Sequence, residues 1–186
     1  MAKIYEIIGT IQHDHTKQFK KAIQNYEFAV ERYFFTYCED ETLDNLSKLA
    51  HCHFGMANAF FDMGNYETAD EHYRSALFNR KRVYNEESLQ FANVYNNLGQ
   101  NNYQQSDFKE AAQHTLRALE IYKLIYDGFH ENIPKMYHNL AKIYFETDEY
   151  VKAWKSYQQA LKLYTLNYGI IFDLTDKWNF SSFIDV

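Results

Sequence analysis

One proline and six glycines in 186 residues leave few points at which a helix has to stop, so long helices are expected. Only two cysteines occur, Cys38 and Cys52, too few for a fold built on disulfides. No apolar run approaches the length of a membrane span, and the opening Met-Ala-Lys-Ile-Tyr is too polar for a secretory signal. The expectation is a reduced, cytoplasmic protein with no membrane partner. An excess of positive charge is also missing. The 19 basic and 25 acidic side chains give a net charge of −6, spread along the chain, which is the wrong balance for a nucleic-acid partner. The run Arg80-Lys81-Arg82 is the exception, and it reads as a cationic helix end complementing the helix dipole. No nucleophile elbow, phosphate loop or paired-carboxylate motif occurs. Catalytic residues and cofactors are therefore not expected, and the chain does not read as an enzyme.

What the chain does have is aromatic residues, 17 Tyr and 15 Phe, and a repeat. The segments "FGMANAFFDMGNYETADEHYRSAL" from Phe54, "NNLGQNNYQQSDFKEAAQHTLRAL" from Asn96 and "HNLAKIYFETDEYVKAWKSYQQAL" from His138 align without a gap at a spacing of 42. Met56, Leu98 and Leu140 are each followed by a small residue: Ala57, Gly99, Ala141. An aromatic comes ten residues after the first: Tyr66, Phe108, Tyr150. Alanines follow at 69, 111 and 153, then Ala-Leu pairs at 76, 118 and 160. Within each half the apolar residues recur at three and four, so each half is an amphipathic helix. Turn and cap signals separate the halves: Gly64-Asn65, Ser106-Asp107 with Glu110, and Thr147-Asp148. Each unit is an antiparallel helix pair that must stack on its neighbours to bury its apolar face.

These residues resemble the tetratricopeptide repeat (TPR). The period of 42 is similar to the long-helix variety of kinesin light chains, with Gly128, His130 and Pro134 loosely matching its linking residues. The resemblance implies an all-α fold, a right-handed superhelix of stacked helix pairs (an α-solenoid). Two departures stand out. Asn102 occupies a usually aromatic position, and Ser106 and Asp148 replace the turn glycine found at Gly64. The chain reads as a single domain over residues 1–186. Residues 1–37 form a degenerate first repeat, in which "FKKAIQNYEFAV" copies the second-helix pattern and Ala22 precedes Ala69 by 47 rather than 42. Repeats over 43–84, 85–126 and 127–169 follow, then a segment over 170–186. Helices are expected near 2–12, 16–37, 43–63, 65–84, 86–104, 107–126, 132–146 and 149–167.

The triplet His51-Cys52-His53 looks like the start of a metal site, but it falls on a helix capped by Thr42. Residues two apart on a helix point about 200° apart, so the two histidines cannot share an ion. His53 takes the packed aromatic place of Tyr95 and Tyr137, and His51 faces the other way. His13-Asp14-His15 reads as a solvated inter-helix loop without a third ligand, and His72 and His114 as exposed. No metal ligand set is expected.

By resemblance to the family, the first helices line a concave groove, and twelve residues face it. They are His51, Phe54, Asn58 and Phe61; Asn93, Asn96, Gln100 and Tyr103; and Lys135, His138, Lys142 and Phe145. Asn58, Asn97 and Lys135 match positions of the family's clamp for acidic tails, but Phe54 and Asn139 stand where it needs cations. The implied ligand is therefore an extended protein or peptide segment, held by amides and aromatic pockets. The alternatives are a peptide-sensing regulator similar to bacterial TPR quorum receptors, or a self-associating scaffold. The tail, residues 170–186, is expected to cap the last repeat. Its alternative seat is the groove of a second copy, which would make a homodimer.

Overall fold

The computed structural model describes residues 1–127 and 130–168. Eight helices and no strand occur among the described residues. They are α1 (Ala2–Asp14), α2 (Phe19–Glu39), α3 (Leu43–Asp62), α4 (Tyr66–Lys81), α5 (Leu89–Gln104), α6 (Phe108–Tyr126), α7 (Asn132–Glu146) and α8 (Tyr150–Tyr168). Every expected helix is present, with ends displaced by at most three residues. The tail lies outside the described residues.

The helices pack as antiparallel pairs α1–α2, α3–α4, α5–α6 and α7–α8, and successive pairs stack through α2–α3, α4–α5 and α6–α7. The odd helices also touch one another across units, whereas the described even helices do not. The odd helices therefore crowd the inner, concave side of the solenoid and the even ones splay on the outer side.

Caps appear where the sequence signals them. The Thr42 side chain accepts from the Asn45 amide, and Asp107 accepts from the Glu110 amide at 3.2 Å. Pro134 sits in the first turn of α7, where a missing N–H costs nothing. The turn residues supply the repeat's sharpest signature. Lys17, Gly64, Ser106 and Asp148 all take left-handed backbone, with φ of 53, 77, 61 and 59°. The last three are spaced by 42 and the first by 47, so residues 1–39 form a full unit with one longer link. Lys17 also explains why α2 starts at Phe19 rather than near residue 16: a left-handed residue cannot belong to the helix.

Close approach between helices is made by small residues. Ala22, Ala69, Ala111 and Ala153 are buried at equivalent places in the second helices. Gly9 and Gly99 lie against them in the first helices: a Cβ on Gly9 would stand 3.2 Å from the Ala22 carbonyl oxygen, and one on Gly99 the same distance from that of Ala111. This sets α1 in register with α3 at a displacement of 48. The core fills with buried side chains from neighbouring units, Tyr26, Tyr33, Leu46, Leu49 and Met56 at one end and Phe91, Ile121, Ile133, Met136 and Leu140 at the other.

Candidate functional site: the inner face of the odd helices

The register of α1 extends each row of inner-face residues by one. The row nearest the inter-helix turns is His13, Phe61, Tyr103 and Phe145. Each ring packs on the aromatic that opens the following helix: His13 on Phe19 at 5.6 Å, Phe61 on Tyr66 at 5.5 Å, Tyr103 on Phe108 and Phe145 on Tyr150 at 5.6 Å. The aromatic row is therefore held in place by edge and tilted ring contacts. The next row is Thr10, Asn58, Gln100 and Lys142. Tyr26 donates to Thr10 Oγ1 at 3.1 Å, and its equivalent Tyr73 donates to Asn58 Oδ1 at 2.8 Å. Then come Glu6, Phe54, Asn96 and His138, and finally Lys3, His51, Asn93 and Lys135.

Three depressions run along this face. One of about 210 Å³ lies between His13, Asn58, Phe61, Asp62, Asn97 and Gln100. A second, about 250 Å³, is lined by Asn96, Gln100, Lys135, His138, Asn139 and Tyr164 among others. A third, about 70 Å³, lies between Gln100, Tyr103, Gln104, Asn139 and Lys142. Gln100 borders all three, so they lie side by side as a segmented trough. Eight of the twelve sequence-predicted residues line it: Asn58, Phe61, Asn96, Gln100, Tyr103, Lys135, His138 and Lys142.

The other four stand on the same helices outside these depressions. His51 is half-exposed, its Nε2 lying 3.7 Å from Glu6 Oε1. Asn93 is exposed and accepts from the Tyr122 hydroxyl. Phe54 packs on Tyr73, and Phe145 on Tyr150.

Polar links across the units fix the trough's shape. Asn97 donates to Asn58 at 2.8 Å, tying α5 to α3. Asn96 donates to Asn97 at 3.2 Å. The Lys142 ammonium lies over the Tyr103 ring at 4.7 Å, and the Tyr103 hydroxyl donates to Glu146 at 3.2 Å. Burial, then the Lys142 charge, holds His138 below the ordinary histidine value, and burial lowers His51 likewise. Both imidazoles are held towards the neutral form, which leaves Lys135 and Lys142 as the permanent cations of the predicted rows.

Several sequence expectations change. His13 and Asp14 belong to the last turn of α1, not to a loop. His13 faces Asp14 Oδ1 at 2.5 Å through Nδ1 and Asp62 Oδ2 at 3.0 Å through Nε2, linking α1 to α3. His72 and His114 are half-buried rather than exposed, because each stacks on a ring of the neighbouring helix: His72 on Phe60 and His53, His114 on Tyr95. The basic run closes α4, with Arg80 and Lys81 in its last turn and Arg82 at its end, but the three side chains part. Arg80 is buried, with its guanidinium 4.9 Å from the Phe54 ring and donating to the Gln90 carbonyl; burial pushes it down to about 10. Lys81 pairs with Glu86, and Arg82 donates to the Tyr37 hydroxyl.

Asn102 is buried, as its core position requires, but its Oδ1 meets no partner. Cys38 and Cys52 are free thiols, and burial pushes Cys52 up to about 12. Among the described residues no three of His, Cys, Asp and Glu come together as metal ligands would.

Sequence reasoning missed the contribution of α1 to this face: Lys3, Glu6, Thr10 and His13. The signal was the Ile8-Gly9 pair, the counterpart of Met56-Ala57 at a displacement of 48, where the second helix is displaced by 47. Glu6 is nearly fully buried and accepts from the Tyr33 hydroxyl at 2.7 Å and from Lys3 at 2.6 Å.

Models of the tetratricopeptide repeat match residues 49–124 and 134–165, together more than half of the chain. The chain belongs to this family. Among solved structures it is similar to BtubC (BKLC) from P. vanneervenii, with 25% identity and a TM-score of 0.79 over 92% of this chain and 66% of that one. RapI in its apo form is similar at 19% identity and a TM-score of 0.77, over 89% of this chain and 56% of that one. A Rap protein complexed with competence and sporulation factor is similar at 23% identity and a TM-score of 0.69, over 88% and 42%. The chain thus spans less than two thirds of the length of each. No curated protein matches the sequence.

Proposed function

We propose that this chain is a protein-interaction module that holds an extended peptide in the trough along its odd helices. The observation that carries the reading is the placing of three depressions side by side around Gln100, with amides at Asn58, Asn96, Asn97, Asn139 and Gln100 and rings at Phe61 and Tyr103. Side-chain amides both donate and accept, so they can read a peptide backbone of any sequence. The fixed rings offer apolar seats, and the two cations at the α7 end favour an acidic residue there.

The dispersal of the basic run supports a role without nucleic acid. The two free thiols support a reducing, cytoplasmic setting, and no described helix is long and apolar enough to cross a membrane. No residue on the inner face is assigned a catalytic role.

Peptide sensing, as in a quorum receptor, is the second reading, favoured by the similarity to a Rap protein complexed with competence and sporulation factor. A labelled random-peptide library selected on the protein tests both. Enrichment that is lost in Gln100→Ala and His138→Ala, with melting unchanged, supports the trough. Enrichment unaffected by both substitutions would overturn it.

A further inference from the structure

Four isoleucines of α1, Ile4, Ile7, Ile8 and Ile11, are exposed by 60, 47, 37 and 47%. Their spacing puts them on one helical stripe. The opposite faces of α1 are in use: Gly9 lies against Tyr26, Thr10 accepts from Tyr26, and Glu6 accepts from Tyr33. In α3 the equivalent stripe is Cys52, Gly55, Met56 and Ala59, all buried, and Gly55 receives the Tyr26 ring of the preceding unit. The inner rows and the stripe are thus two separate faces, and in α1 the stripe is apolar and uncovered.

The equivalent stripes of α5 and α7 each carry asparagine among their apolar residues, Asn97 and Asn101 in α5 and Asn139 in α7, whereas the stripe of α1 is isoleucine throughout. The stripe fits a second copy of itself. Positions 4, 7, 8 and 11 are symmetric about the midpoint between Ile7 and Ile8, and all four carry the same side chain.

We propose that this stripe is the contact of a homodimer, in which two α1 helices pack antiparallel about a two-fold axis between Ile7 and Ile8. Such an interface is isologous, the same patch meeting itself. Ile4 then faces Ile11 of the partner subunit, and Ile7 faces Ile8 of the partner subunit. The flanking charges agree. Lys3 and Asp14 are eleven residues apart, within about 20° of whole helical turns, so they lie on one flank at opposite ends of α1. Antiparallel packing sets Lys3 beside Asp14 of the partner subunit, and both side chains are more than half exposed. No charged residue falls on the stripe between Ile4 and Ile11. The exposed fractions amount to almost two whole isoleucines per copy. The interface is therefore small, and the dimer is expected to be weak and to form only at high concentration.

Sedimentation velocity of the full chain over a wide concentration range tests the proposal. The expected result is a reversible monomer–dimer equilibrium that Ile8→Asp removes while helical circular dichroism is retained. Oxidation of a Cys38→Ser, Ile4→Cys, Ile11→Cys variant should give dimers in which position 4 of one copy is linked to position 11 of the other. A wild-type chain that stays monomeric at every concentration would overturn the proposal. So would a dimer that survives Ile8→Asp, as one made through residues 170–186 would, or an absence of linkage between positions 4 and 11.

Discussion

The imidazoles of His53 and His72 meet with their Nδ1 atoms 3.2 Å apart, and the ring of Phe60 stacks on His72 with the two planes 3° apart. One histidine donates and the other accepts, which a doubly protonated pair cannot do, since both ring nitrogens of each would then carry protons. Burial, with His72 beside it, pushes His53 down to about 4, and burial lowers His72 as well, against the pull of Glu71. A histidine whose value is depressed in the folded state binds its proton more readily when unfolded. Its contribution to stability is therefore complete above the ordinary histidine range and lost as the pH falls towards 4.

Denaturant unfolding at pH 7 and pH 5 is expected to differ by about 2 kcal/mol from this pair. His53→Tyr, which places there the residue found at the equivalent positions 95 and 137, should remove most of the dependence by keeping a ring in the stack and removing the more strongly depressed proton site. Because the pair is a packing contact and not a metal site, a chelator should leave the melting temperature unchanged.

Gly55→Ala is expected to destabilise. A Cβ there would stand 2.5 Å from Tyr26 Cζ, and the Tyr26 ring is itself buried and held by its bond to Thr10. Overpacking at such a contact costs about 1–3 kcal/mol. Ala111→Leu should behave alike, since Ala111 is fully buried against Gly99. Thermal melts of both variants check the register of the helix pairs, and a neutral result in either would show that the helices do not approach so closely.

The left-handed turn residues make the opposite prediction. Ser106 holds φ 61° and is exposed, a conformation that costs an L-residue roughly 1–2 kcal/mol. Ser106→Gly removes that strain but adds freedom to the unfolded chain, leaving a net gain of up to about 1 kcal/mol. Lys17→Gly should gain similarly. Gly64→Ser should lose stability by a comparable amount, and equilibrium unfolding compares all three.

Asn58 is a trough residue that also supports the fold. It accepts from the Tyr73 hydroxyl and from Asn97, and Tyr73 is buried. Asn58→Ala leaves that hydroxyl without its acceptor, at a cost of about 1–3 kcal/mol. Loss of binding in this variant must therefore be read beside Gln100→Ala, whose melting should stay near that of the parent.

How much was legible differs between parts of the molecule. The 42-residue spacing fixed the last three units, because alternating helix faces must carry their apolar and small residues at the same places for the units to stack. The caps at Thr42 and Asp107 were legible because they depend on residues three apart. The rows in α3, α5 and α7 were placed on that register by the resemblance to the family.

The place of α1 was not legible to the same degree. Its displacement is 48 while that of α2 is 47, so no single shift aligns both helices. Nothing local announces that His13, at a helix end, completes a row with Phe61, Tyr103 and Phe145.

The sequence by itself determined the helix pairs and their period, since periodicity and turn chemistry act within about ten residues. Only the tertiary structure decided which polar groups find each other across units. His72 is stacked rather than solvated because Phe60 and His53 on the neighbouring helix cover it. Arg80 is buried rather than displayed because Phe54 and the Gln90 carbonyl stand where its guanidinium points. The Ile4–Ile11 stripe, apolar like any core face, is uncovered because it lies on the outermost described helix of the stack, where no described helix packs against it.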